Sequence, residues 1–142
     1  MASTIGQIAD AVVDVINGAT LSQALTATKR SVPKNRKADL TAAVADVRPR
    51  GAVNTNGGTR SRVHTDFAVD VGVAKDIDNT EAAFDGMLNL FDEVDALFRN
   101  SRLSGFTSAI WQRSEYVIAD EDAIENKGVY LGVITLVFGV TR

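Results

Sequence analysis

The side chains that could form a nucleophilic site lie close together near residue 64. Ser61, His64 and Asp66 supply the hydroxyl, imidazole and carboxylate groups of a catalytic triad. A strand that begins near residue 63 would place His64, the one histidine of the chain, on the same face as Asp66. The strained G-x-S-x-G turn that presents a nucleophile does not accompany Ser61. We therefore interpret His64 as a surface or strand-edge side chain and predict no catalytic residue.

Two acidic clusters have the chemistry to hold a divalent cation. Asp76, Asp78 and Glu81 begin like a calcium-binding loop, but the required glycine is missing and Met87 replaces the late glutamate. These acids are more typical of a helix start, where the dipole favours negative charge. The second cluster, residues 120–125, is typical of a solvated acidic turn. Since the chain also has no cysteine and a single histidine, we predict no metal site and no cofactor.

The segment 50–62 (RGAVNTNGGTRSR) is the most loop-like part of the chain. It contains three glycines, two asparagines, three arginines and no acid. Because proline cannot continue a strand ladder, Pro49 is expected to end the preceding strand, and a flexible basic loop follows. Such a loop can contact phosphates without reading bases, or dock on an acidic protein surface. The candidate residues are Arg48, Arg50, Asn54, Asn56, Arg60 and Arg62.

Composition indicates one globular domain with an uneven charge. The chain has 142 residues, of which 45% are hydrophobic and 23% are charged. Residues 1–64 have a net charge of +5, and residues 65–142 have a net charge of −8. Such a chain can associate with copies of itself through opposite charges.

The longest apolar run, residues 129–140, is too short to span a membrane as a helix, and no signal-peptide pattern begins the chain. We expect an intracellular protein without a membrane segment.

Hydrophobic periodicity predicts two helices. Residues 5–16 carry apolar side chains at three- and four-residue spacing, between a Thr4–Gln7 capping box and an Asn17-Gly18 stop. Residues 79–99 carry a wider apolar stripe.

The elements that must position the candidate residues are strands, predicted over 23–30, 42–48, 65–75, 109–118 and 128–140. The prediction is a single α+β domain over residues 1–142, in the order α-β-β-β-α-β-β. Its sheet has about five mostly antiparallel strands, and both helices pack on one face.

The order of these elements resembles the tail terminator (tail completion) proteins of long-tailed bacteriophages. The segments that carry the resemblance are the amphipathic start IGQIADAVVDVING, the alternating strand DFAVDVGVAKDID, the helix AAFDGMLNLFDEVDALFRN, the segment RLSGFTSAIW and the apolar strand VYLGVITLVFGVTR. The resemblance extends over nearly the whole chain, because these segments are spread between residues 5 and 142, and they match in hydrophobic pattern and length. No short motif with site residues is shared.

The resemblance implies a structural virion protein without enzymatic activity. It implies a ring, typically a homohexamer, that caps the tail tube, ends tube polymerisation and joins the tail to the head, with DNA passing through the lumen. The implied partners are copies of the chain, the tail tube protein and the neck or connector proteins, with non-specific contact to genomic DNA. The implied location is the tail or neck of a virion assembled in the host cytoplasm. The basic loop would face the lumen or a docking partner. The alternatives are another neck protein (a connector, stopper or adaptor), or a small enzyme or nucleotide-binding domain.

Overall fold

The computed structural model describes residues 3–23, 25–29, 43–56, 62–76, 81–99, 101–117 and 129–141. The elements are α1 (Thr4–Gly18), β1 (Leu25–Lys29), β2 (Ala43–Asn56), β3 (Val63–Asp76), α2 (Glu81–Phe98), β4 (Arg102–Leu103), β5 (Phe106–Val117) and β6 (Val129–Thr141). The predicted α+β class is confirmed.

The six strands form one mixed sheet in the order β1-β2-β3-β6-β5-β4. Two details differ from the prediction. The additional strand is β4, which has two residues and is therefore too short to show an alternating pattern. In addition, β1 pairs with β2 in parallel, whereas the other pairs are antiparallel. Alternation does not encode strand direction, and residues 30–42 are long enough for the crossover that a parallel pair requires.

Both helices contribute to one hydrophobic core on the same face of the sheet. Alternate residues of β3 and β6 point into it, and the sheet register places Val69 beside Leu136 and Val71 beside Ile134. The helix side chains buried against them are Ile8, Val12 and Ile16 from α1, and Met87, Leu90, Phe91, Val94 and Phe98 from α2. The predicted apolar stripes of the helices therefore cover the predicted apolar face of β3, as binary patterning requires.

The start of α1 lies one residue earlier than the predicted capping box. Ser3 is the N-cap, and its hydroxyl oxygen accepts a hydrogen bond of 3.2 Å from the backbone N–H of Gly6. At the other end, the Asn17 side chain donates to the carbonyl of Ala27 and accepts from its N–H, at 3.1 and 2.8 Å. Asn17 thus links the end of α1 to β1.

The predicted end of a strand at Pro49 is wrong. β2 continues through Pro49 to Asn56 and pairs with β3 throughout, with a register shift between Pro49 and Gly51. Proline is tolerated here because, among the described residues, β1 pairs with β2 as far as Val47 and no farther, so Pro49 lies at an irregularity in an edge segment. Residues 50–56 are therefore a hairpin strand instead of a flexible loop, and residues 57–61 lie outside the described residues.

Candidate functional site

The face of the sheet opposite the helices, which we call the open face, carries most of the candidate side chains. One row across it consists of Arg48 on β2, Asp70 on β3, Thr135 on β6 and Glu115 on β5, as the register shows. In the part of the chain that the structure describes, no helix covers this face. On this face β3 carries small residues such as Gly72, which allow another surface to approach the backbone closely.

Arg50 and two polar partners form a network in the middle of the open face. The Arg50 guanidinium donates to the Thr135 hydroxyl at 3.2 Å, and that hydroxyl donates to the Asp70 carboxylate at 2.7 Å. Arg50 and Asp70 also form an ion pair at 3.7 Å. The network borders a shallow depression of about 380 Å³, which reaches Glu115 and Val117 on β5. Since the Arg50 side chain is 62% exposed, its ion pair contributes little to stability and the cation remains accessible to a partner.

His64 lies in a second polar cluster near the end of the β3–β6 pair. Its Nε2 is 2.8 Å from Asp66 Oδ1, and its Nδ1 is 3.1 Å from Thr141 Oγ1. A Cβ at Gly139 would lie 2.8 Å from His64 Cε1, so this glycine leaves room for the ring. The hydroxyl beside His64 therefore belongs to Thr141, whereas Ser61 lies outside the described residues. The cluster links β3 to β6 through the contact between His64 and Thr141.

The structure does not gather the six candidate basic-loop residues in one loop. Arg48 and Arg50 contribute to the open face, and the buried Arg48 Nε has no hydrogen-bond partner among the described residues. Asn54 accepts a 2.6 Å hydrogen bond from the hydroxyl of Thr65, which is 1% exposed. Asn56 ends β2 and the exposed Arg62 precedes β3, while Arg60 lies outside the described residues.

Asn54→Ala is expected to lower the free energy of unfolding by about 1–2 kcal/mol, because the buried Thr65 hydroxyl loses its acceptor. A flexible loop would instead predict almost no effect. Asn54→Asp, which keeps an acceptor oxygen, is the matched control. The pair Asn54→Ala with Thr65→Val should recover part of the loss, since removing both partners leaves no polar group unpaired. Urea titration of the three variants measures the effect, and a neutral Asn54→Ala would contradict it.

Exposed apolar side chains mark a separate feature that sequence patterns did not reveal. Those of the described residues are Val53, Val63, Ile110 and Val117, of which Val53 and Val117 are 63% and 65% exposed. All four lie on β2, β3 or β5 and none on a helix. The sequence gives little indication of these exposed side chains. Val53 falls in the segment that is expected to be a loop, and the pattern of residues 109–118 does not indicate which face Val117 occupies. Val53, Ile110 and Val117 belong to the open face, where each lies singly on its strand and is accessible to another surface.

The described residues contain no group of three or more acidic or histidine side chains arranged to hold a metal ion. Within the same residues, neither helix has the length and apolarity needed to cross a membrane. Comparison with protein-family models gives no match, and comparison with curated proteins gives no match either.

Proposed function

We propose that the chain is a tail terminator, a ring-forming structural protein of a long-tailed bacteriophage virion. In this proposal a ring of six copies caps the tail tube, ends its polymerisation and joins the tail to the head, while DNA passes through the lumen. Its partners are copies of itself, the tail tube protein and neck proteins. The proposal rests on the resemblance of five segments that are spread along the chain between residues 5 and 142.

The observation that best supports an assembly role is the position of the exposed apolar side chains. Val53, Ile110 and Val117 lie on strands at or near the two sides of the sheet, where a neighbouring subunit can bury them. Each such side chain removed from water contributes on the order of 1.5 kcal/mol when fully buried. A ring whose subunit contacts include Val53 and Val117 would remove these side chains from water in every copy.

The charge distribution of the folded chain supports contacts between different surfaces. The helices carry exposed acidic residues, including Asp10 and Asp14 on α1 and Asp85 on α2. The cations Arg50 and Arg62 lie on the β2–β3 hairpin, on the sheet side of the molecule. The sheet side also carries Asp70 and Glu115, so it is mixed in charge, whereas the helix side is acidic. A subunit with two such different sides favours heterologous contacts, which close into a ring when the rotation allows.

The decisive experiment measures the mass of the purified protein and its binding to tail tubes of the same virus. Sedimentation should give a ring of several subunits, and electron microscopy should show the ring at one end of each tube. Tubes polymerised in its presence should stop growing. A strict monomer at high concentration that also fails to bind tubes would refute the proposal. A ring that binds connector proteins but no tube would support a neck adaptor instead.

The variant Arg50→Ser/Arg60→Ser/Arg62→Ser tests whether these three cations take part in the assembly. The expected result is impaired ring formation or impaired attachment to tails, because these contacts depend on charge. The far-ultraviolet circular dichroism spectrum should remain unchanged. Lys29→Ser removes an exposed cation on β1 whose ion-pair partner is Asp10 of the same subunit, and this control should assemble normally. If the triple variant yields infectious particles at the normal level, the three cations have no role in assembly.

A further inference from the structure

We propose that neighbouring copies join edge to edge, with residues 51–55 of β2 in one copy pairing antiparallel with residues 112–117 of β5 in the next. This inference rests on the proposed ring and specifies its subunit contact. The occupant of each edge is a second copy of this chain. The contact is heterologous, so that each copy uses its β2 edge on one side and its β5 edge on the other.

The first observation is that, among the described residues, both strands have long outer edges without a paired strand. β1 pairs with β2 only from Ala43 to Val47, so no described strand lies beside β2 beyond that point. β4 pairs with β5 only near Phe106 and Ile110. The Trp111 N–H donates to the Ser101 carbonyl at 3.0 Å, and the rest of β5 has no neighbour on that side in the described residues.

An unpaired edge of this length presents backbone N–H and C=O groups that another strand can bind. Natural edge strands are usually shortened, charged or covered. The β2 edge carries Pro49 and a register shift at its beginning, but residues 51–55 (GAVNT) contain neither charge nor proline. Pairing with a strand of another copy satisfies these backbone groups in the manner of β-strand addition.

The second observation is that exposed apolar side chains lie on these same edges. Val53 is paired with Asp66 and Val117 with Val133, so both valines belong to the open face. Each is more than half exposed. Because side chains of paired strands on one face are neighbours, joining the two edges would bring Val53 of one copy close to Val117 of the next and remove both from water.

The strand directions are compatible with this contact. Along the order β2-β3-β6-β5 every pairing is antiparallel, so β2 and β5 run in opposite directions in one subunit. Rotation about an axis along the strands preserves these directions, and β2 of one copy then meets an antiparallel β5. β1 pairs with β2 as far as Val47, so the β5 edge of the next copy has to contact β2 beyond Val47, nearer to Asn56. Strands that tilt relative to a ring axis produce such a stagger.

Pairing of unlike edges leaves no free edge on either subunit. Pairing of β2 with β5 uses both free edges of each subunit, whereas a twofold dimer of β2 edges would leave the β5 edge of each copy uncovered. Residues 48–56 of β2 contain two arginines and no acid, whereas residues 112–117 of β5 contain Arg113 and Glu115 and are neutral overall. The β5 edge therefore adds no net repulsion to the basic β2 edge.

The test uses cysteines introduced into a chain that has none. Val53→Cys and Val117→Cys proteins are purified separately, mixed, and treated with a short bismaleimide. Covalent dimers are expected in the mixture, and neither variant should form them alone. The double variant should give a ladder of covalent oligomers. Val53→Cys mixed with Asp85→Cys, an exposed position on α2, is the control and should not crosslink.

A charge exchange provides a second test that does not require crosslinking. Val53→Asp/Val117→Asp places like charges at the contact and should raise the concentration for half-assembly roughly tenfold. Val53→Lys/Val117→Asp should restore assembly. Both valines are exposed, so neither variant should change the circular dichroism spectrum of the subunit.

Three outcomes would overturn the edge pairing. Dimers of Val53→Cys alone would indicate twofold pairing of β2 edges. A normal ring that neither crosslinks in the mixture nor responds to the charge exchange would refute this contact while the proposed function stands. A chain that stays monomeric and does not bind tubes would refute both.

Discussion

Phe91→Ala is expected to lower the free energy of unfolding by about 3–5 kcal/mol, because the substitution removes a buried ring and leaves a cavity. Phe91 lies in the middle of α2, is 1% exposed and belongs to the core cluster between the helices and the sheet. Domains of this kind have total stabilities of about 5–15 kcal/mol, so the loss would be a large part of the total.

The control for this prediction is Asp85→Ala on the same helix. Asp85 is exposed, and its truncation should change the free energy of unfolding by less than about 0.5 kcal/mol. Urea titration at low protein concentration compares the two, since assembly would add stability that depends on concentration. Equal losses for Phe91→Ala and Asp85→Ala would contradict the burial of the α2 stripe.

Asp95→Ala is expected to lower the free energy of unfolding by about 1.5–3 kcal/mol, because it removes a hydrogen-bonded charge that holds α2 against β5. Asp95 is 6% exposed and accepts a hydrogen bond from the hydroxyl of Ser114. Its other carboxylate oxygen is 2.9 Å from Arg99 Nε. Because the Arg99 side chain is 48% exposed, water can solvate it after the change, so the loss should stay below that of a fully buried pair.

A double-mutant cycle isolates the contact between helix and sheet. Ser114→Ala and Asp95→Ala should each destabilise the fold, and the double variant should cost clearly less than their sum. Asp95→Asn keeps an acceptor for Ser114 and should cost less than Asp95→Ala. If the losses of free energy of unfolding in the two single variants add up to the loss in the double variant, the hydrogen bond between Ser114 and Asp95 does not contribute to stability.

The helices and the apolar face of β3 could be predicted from the sequence because their signals are local. In α2 the apolar spacing alone identifies the buried stripe that contains Met87 and Phe91. In β3 strict alternation separates Val69 and Val71 from Asp70. Each pattern lies within one element and depends only on which side chains of that element are buried.

The candidate site could be predicted only in part. Arg50 was identified as an accessible cation, but its hydrogen bond to Thr135 joins residues 85 positions apart. The strand pattern places His64 on the same face as Asp66, two residues away. It does not indicate the contact of His64 with Thr141, which is 77 positions away in the chain. These partners follow from the register of β3 against β6, and alternation specifies which face a residue occupies without specifying which residue lies opposite.

The sequence by itself determined the α+β class, the two helices and the face of β3 that enters the core. It also determined the basic character of residues 48–62. The tertiary structure alone decided that residues 50–56 extend a hairpin and that β1 is parallel to β2. It also decided that Val53 and Val117 lie exposed on opposite edge segments. The physical reason is that local burial patterns are set within each element, whereas strand order, direction and register depend on backbone pairing between distant segments.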